Sequence, residues 1–259
     1  MKTGESWKKP ARYSLMSRVV YILILVLAGC SATKKHQAKE ITVFAAASLS
    51  DVMTELAESF ERENDVAIKL NVAASGTLAR QIDQGADADV YLSANKGWME
   101  FLVEKGKTEQ TAVFVKNDLV LVSPLDRNFQ FQKVDSLLMY TEGKIAIGDP
   151  GYVPAGKYAM QVFDYYQLDL DGRLFQCQNA RSVLMMVELG ELDFGIVYQT
   201  DAVQSKKVKV ICTFPDESHE PVAYYQGLIS EKDPAKKFYD YLHSAEARRV
   251  IINYSFITD

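Results

Sequence analysis

Ile41-Thr42-Val43-Phe44-Ala45-Ala46-Ala47-Ser48-Leu49 holds, within nine residues, a change from one kind of element to another. Residues 41–45 read as a buried strand. From position 49 the period changes: Val52, Met53, Leu56 and Phe60 recur at the three- and four-residue spacing of one helical face, which predicts a helix over 49–62. A strand that runs through small residues directly into a helix, with no hairpin signal between them, belongs to a parallel sheet covered on both faces.

The same alternation extends outward in both directions from this start. Strand 67–72 leads to helix 77–84, closed by Gly85; strand 90–92 leads to helix 95–105, closed by Gly106. A second unit follows, with strands at 119–123 and 144–147 and a helix over 154–166 whose Tyr158, Val162 and Tyr166 lie four residues apart. Helix 182–189 stops at Gly190, strands come at 194–198 and 208–213, a return strand at 222–229, and helices at 235–243 and 245–254 close the chain. The expected fold class is α/β, in two lobes, each a mostly parallel sheet flanked by helices: 40–120 plus 223–259 form one lobe and 121–222 the other. No internal repeat or low-complexity tract interrupts this reading.

The chain has 259 residues, 48% apolar and 24% charged, enough for one large core or two modest ones. Its start is different. Lys8, Lys9, Arg12 and Arg18 precede an apolar run at 19–28 too short to span a bilayer comfortably, and the run exits through Leu27-Ala28-Gly29-Cys30. This resembles a bacterial lipoprotein signal: residues 1–29 are removed, Cys30 is lipidated, and 30–39 form a polar tether, so the folded part lies outside the cytoplasmic membrane. A plain signal peptide and an uncleaved anchor are the alternatives, and both leave the folded part on the same side. Removal takes away Lys2, Lys8, Lys9, Arg12 and Arg18 against Glu5 alone, leaving a chain more acidic than its formal net charge of −5. Such a balance excludes a nucleic-acid binder, and attraction for any anion must come from local donors rather than the overall field. Cys177 and Cys212 remain, either as a bridge in an oxidising exterior or as two buried thiols.

Four stretches place small, donor-rich residues at a helix start: Ala45-Ala-Ala-Ser48-Leu49, Ala74-Ser75-Gly-Thr-Leu78, Val153-Pro-Ala155-Gly156 and Asn179-Ala180-Arg-Ser182. Helix starts carry unpaired N–H groups and the positive end of the macrodipole, so several that converge form a socket for a small anion. In parallel sheets ligands sit beyond the carboxyl ends of strands, which puts Ser48 and Ser75 at one edge of the first lobe. Pro154 suits a first helical position, Asn179 an N-cap, and Tyr198 ends a strand with its phenol available to the same cleft. Serine hydroxyls, amides and one phenol form an uncharged donor set, each charge-assisted bond contributing about 1.5–3 kcal/mol.

Other constellations are weaker. Asp83, Asp87 and Asp89 lack calcium-loop spacing and read as solvated charge around Gly85. Tyr224 and Tyr225 are adjacent on a strand and face opposite sides, so one belongs to the core. His36, His219 and His243 are the only histidines; no H-E-x-x-H, G-x-S-x-G or P-loop pattern occurs, and nothing places a base beside Ser48. A binding protein is expected, not an enzyme; a lipid-anchored hydrolase would need an unrecognised site.

Ile41-Thr-Val-Phe-Ala-Ala-Ala-Ser48-Leu49, Thr77-Leu-Ala-Arg-Gln-Ile82, Gly148-Asp-Pro, Val153-Pro-Ala-Gly156, Gly195-Ile-Val-Tyr198-Gln-Thr-Asp-Ala202 and Phe238-Tyr-Asp-Tyr-Leu242 resemble the periplasmic molybdate-binding proteins of ATP-driven importers, in order and spacing. The resemblance implies the two-lobed type II periplasmic-binding-protein fold. It also implies that molybdate or tungstate is held in the cleft without a metal cation, a cofactor or a charged side chain. Ser48 and Ser75 would bind through hydroxyl and amide, Ala155 and Ala180 through main-chain N–H, and Tyr198 through its phenol. The partners implied are the oxyanion and a membrane permease, with the receptor a monomer. The chain departs from the pattern at Ala180, where a branched apolar residue is common, and at Ser75-Gly76, where serines often follow one another. Sulfate or phosphate is the alternative ligand, although sulfate is smaller and protonated phosphate needs an acceptor.

Overall fold

The computed structural model describes residues 39–129, 143–170 and 172–258. The expected leader, Cys30 and all but the last residue of the tether lie outside the described residues. Along the chain, β1 (Lys39–Ala46) passes through a 3-10 turn, Ala47–Leu49, into α1 (Ser50–Glu63). There follow β2 (Val66–Ala73), α2 (Ser75–Asp83), β3 (Val90–Ser93), α3 (Lys96–Glu104) and β4 (Gln110–Lys116). The chain then supplies β5 (Leu119–Pro124), β6 (Ile145–Gly148), α4 (Pro154–Tyr165), β7 (Leu174–Cys177) and α5 (Ala180–Glu188). After β8 (Phe194–Tyr198), α6 (Gln199–Gln204) and β9 (Val208–Thr213), it returns through β10 (Ala223–Leu228) to α7 (Asp233–Tyr241) and α8 (Ala245–Asn253).

Among the described residues, ten strands make two five-stranded sheets, ordered β2-β1-β3-β10-β4 and β7-β6-β8-β5-β9. β1 lies inside the first sheet, parallel to β2 and β3, with Ile41, Val43 and Ala45 fully buried, as its composition requires. The sequence reading expects mostly parallel sheets with a return strand at 222–229, and two strands run against their neighbours. β10 is antiparallel to β3 and β4, and β5 is antiparallel to β8 and β9. Each is the first strand laid down after the chain crosses between sheets, and it enters from the opposite end. The crossings run side by side at Asn117 and Val222, joined by Asn117 N–H to Val222 O at 3.0 Å.

β4 and β7 have no counterpart in the sequence reading. Each is the edge of its sheet, so one side meets solvent and its residues lack the apolar run of an interior strand. The glycines read as helix stops, Gly85, Gly106 and Gly190, all take positive φ. Gly156 is required for another reason: a Cβ there would lie 1.9 Å from the Gly148 carbonyl oxygen, so only glycine lets the first turn of α4 settle on the end of β6.

One sequence expectation resolves differently, and one pair of alternatives is decided. Asp89 is not solvated charge: it is fully buried and accepts from Thr42 N–H at 2.8 Å and from the Ser230 hydroxyl, with Lys232 Nζ 3.0 Å away, partners that lie far off in the sequence. The two cysteines are free thiols. Cys177 is on β7 and Cys212 on β9, opposite edges of one sheet, so about 19 Å of strand spacing separates them and no disulfide can close.

Candidate functional site

The loops leaving the carboxyl ends of β1, β2, β6 and β7 meet between the two sheets, and each opens a helical turn. Ser48 sits in the 3-10 turn after β1, 4% exposed, and Ser75 is the first residue of α2, fully buried. Opposite them, Pro154 is the first residue of α4 and Ala180 the first of α5. Asn179 caps α5 as the sequence predicts: its Oδ1 accepts Ser182 N–H at 2.9 Å while Ser182 Oγ accepts Asn179 N–H at 3.1 Å. That satisfies the third amide and leaves those of Ala180 and Arg181 without an intrahelical acceptor.

These turns line a small, partly open pocket with a cavity volume of about 10 Å3. Its polar groups are Ser48 and Ser75 from the first lobe and Asn179 and Tyr198 from the second; the remaining wall is alanine, valine and proline, including Ala180. Among the described residues, no side chain that carries a charge lines it. Of the five residues predicted from sequence, four are brought together. Ala155, second in α4 and fully buried, is not part of the wall, which Val153 and Pro154 form on that side. It can contribute only its first-turn N–H.

Hydrogen-bond valence leaves each polar group with something to give. Ser75 Oγ accepts Ala94 N–H at 3.0 Å, so its hydrogen is free for the cavity. Ser48 Oγ is 2.8 Å from Tyr224 Oη. Tyr198 is 1% exposed and its hydroxyl has no hydrogen-bond partner. Burial, followed by the neighbouring Tyr224, Tyr158 and Asp201, raises its ionisation well above the ordinary tyrosine value, so the phenol keeps its proton. An orphaned, protonated hydroxyl in such a place is a donor held ready for a ligand.

The cation next to Ala180 faces elsewhere. Arg181, next to Ala180, reaches Asp51 of α1 across the cleft at 2.5 Å and buried Asp201 of α6 at 3.0 Å. Burial pushes the Asp201 carboxyl up to about 7, against the opposing pull of Arg181. Further contacts hold the lobes shut: Gly76 N–H donates to Tyr152 O at 3.0 Å, Tyr158 O–H to Ala94 O at 3.3 Å, and the Arg80 guanidinium lies 5.0 Å from the Tyr152 ring centre. Sequence reasoning put one of Tyr224 and Tyr225 in the core without deciding which. Tyr224 is fully buried and touches the site through Ser48, a contact across 176 positions that no local pattern could reveal.

Two lobes hinged by paired crossings, closed over a pocket of neutral donors, define a type II solute receptor. The chain belongs to the bacterial extracellular solute-binding protein family, whose model matches residues 41–257. It is 40% identical over 228 residues to the molybdate-binding protein ModA of Escherichia coli, covering 84% of this chain and 88% of that protein. It is 36% identical over 242 residues to ModA of Haemophilus influenzae, covering 90% and 95%. The fold matches the periplasmic molybdate-binding protein of Azotobacter vinelandii with a TM-score of 0.74 at 22% identity, over 85% of this chain and 99% of that one.

Proposed function

We infer that this protein captures molybdate, and tungstate, outside the cytoplasmic membrane and presents it to an ATP-driven importer. The observation that carries this reading is the pocket itself: hydroxyls of Ser48 and Ser75 from one lobe and the unpartnered phenol of Tyr198 from the other, with no charged side chain between them. Main-chain N–H groups of Ala155 and Ala180 complete the set. Oriented dipoles of this kind replace the hydration shell of a dianion, and every group offered is a donor, which suits an oxyanion carrying no proton. Sulfate is smaller and leaves donors unfilled; hydrogen phosphate brings a proton that finds no acceptor.

Because donors come from both lobes, the anion stabilises the shut form, and a permease reads that shape. Lipidation at Cys30 holds the receptor at the membrane, with residues 31–39 as the tether. Calorimetry with molybdate tests the ligand: binding that weakens tenfold or more in Ser48→Ala supports the reading, and unchanged affinity removes Ser48 from the site. Metabolic labelling with a fatty acid, lost in Cys30→Ala, tests the anchor.

A further inference from the structure

We propose that Tyr224 is a positioning residue that fixes the direction of the Ser48 hydrogen bond and thereby selects oxyanions that carry no proton. The proposal rests on the molybdate reading of the pocket. A serine hydroxyl has one hydrogen and two lone pairs. If Ser48 gave its hydrogen to Tyr224, 2.8 Å away, it would present only lone pairs to the cavity and repel a dianion. If Tyr224 donates, the Ser48 hydrogen is left for the ligand.

The acidity of the two hydroxyls decides between these arrangements. A phenol gives its hydrogen more readily than an alkyl hydroxyl does, so Tyr224 donates to Ser48 and the Ser48 hydrogen turns to the pocket. Tyr224 is fully buried, so no solvent competes for that hydrogen. Ser48 held in this way cannot accept a proton from hydrogen phosphate or hydrogen arsenate.

Tyr224→Phe removes the donor and leaves the ring in place. The expected result is a roughly three- to tenfold loss of molybdate affinity, from one net hydrogen bond. Hydrogen phosphate and hydrogen arsenate should bind as well as before or better, because a freed Ser48 hydroxyl can rotate to accept. In a Ser48→Ala background Tyr224→Phe should cost nothing further, a coupling that loss of packing alone would not produce. If Tyr224→Phe does not fold, judged by thermal unfolding, Tyr224→Met removes the donor with a more adaptable side chain and should shift the molybdate-to-phosphate ratio in the same direction. Equal loss for all anions, or equal loss with and without Ser48, overturns the proposal while leaving the molybdate reading intact. Failure of the unmodified protein to bind molybdate overturns both.

Discussion

Tyr198→Phe removes one oxygen, and the structure gives that oxygen two effects of opposite sign. As a donor to a dianion it is worth about 1.5–3 kcal/mol, so its loss should weaken molybdate binding by roughly 10- to 150-fold. In the protein alone the same hydroxyl is buried with no hydrogen-bond partner, a condition that costs about 1–3 kcal/mol. Phenylalanine relieves that cost, and for a chain of this size each kcal/mol moves the melting temperature by about 2–4 °C. The variant should therefore melt roughly 2–10 °C higher than the parent without molybdate, and gain less than the parent when molybdate is added. Calorimetric scans with and without molybdate, paired with a binding titration, read both effects. A variant with unchanged affinity, or one that binds weakly and also melts lower on its own, would refute the view that this phenol is kept unsatisfied for a ligand.

Ala180→Pro deletes a single N–H at the first helical position, where proline is tolerated, and Asn179 before it is already extended at φ −165° and ψ 172°. Titration should show about tenfold weaker molybdate binding with an unchanged unfolding midpoint, whereas Ala180→Val keeps its affinity. Arg181→Met breaks the contact with Asp51 that spans the cleft, so stopped-flow measurements should show molybdate leaving several-fold faster at low salt, with the difference shrinking at high salt. The Asp201 carboxyl lies at about 7 in the fold against 3.8 in the open chain, so its contribution to stability is complete below about pH 4 and is lost as pH rises through about 7. Urea unfolding between pH 4 and 8 should show that decline in the parent and a flatter profile in Asp201→Asn; equal slopes would contradict the assignment.

The fold was legible where one element dictates its own environment. Residues 41–49 announce a doubly covered strand entering a helix, and Ser48 and Ser75 are each placed at the pocket by a strand-to-helix junction of that kind. Features set by distant partners were not legible. Asp89 sits among surface-like neighbours in sequence, yet Thr42, Ser230 and Lys232 gather around it in the fold. β4 and β7, being edges, carry too little apolar pattern to stand out. Alternation along β10 could not assign Tyr224, because the register shifts between Tyr224 and Tyr225 and its partner Ser48 lies on the far side of the chain.

A titration of the purified protein against molybdate, tungstate, sulfate and phosphate, followed by heat, tests the central claim most directly. Neutral donors from both lobes, suited to an unprotonated tetrahedral anion, predict one site per chain. Molybdate and tungstate should bind with closely similar affinity, and sulfate and phosphate at least a hundredfold more weakly, on the order of two hydrogen bonds left unmade. No binding of molybdate, or sulfate or phosphate binding as tightly as molybdate, would contradict it.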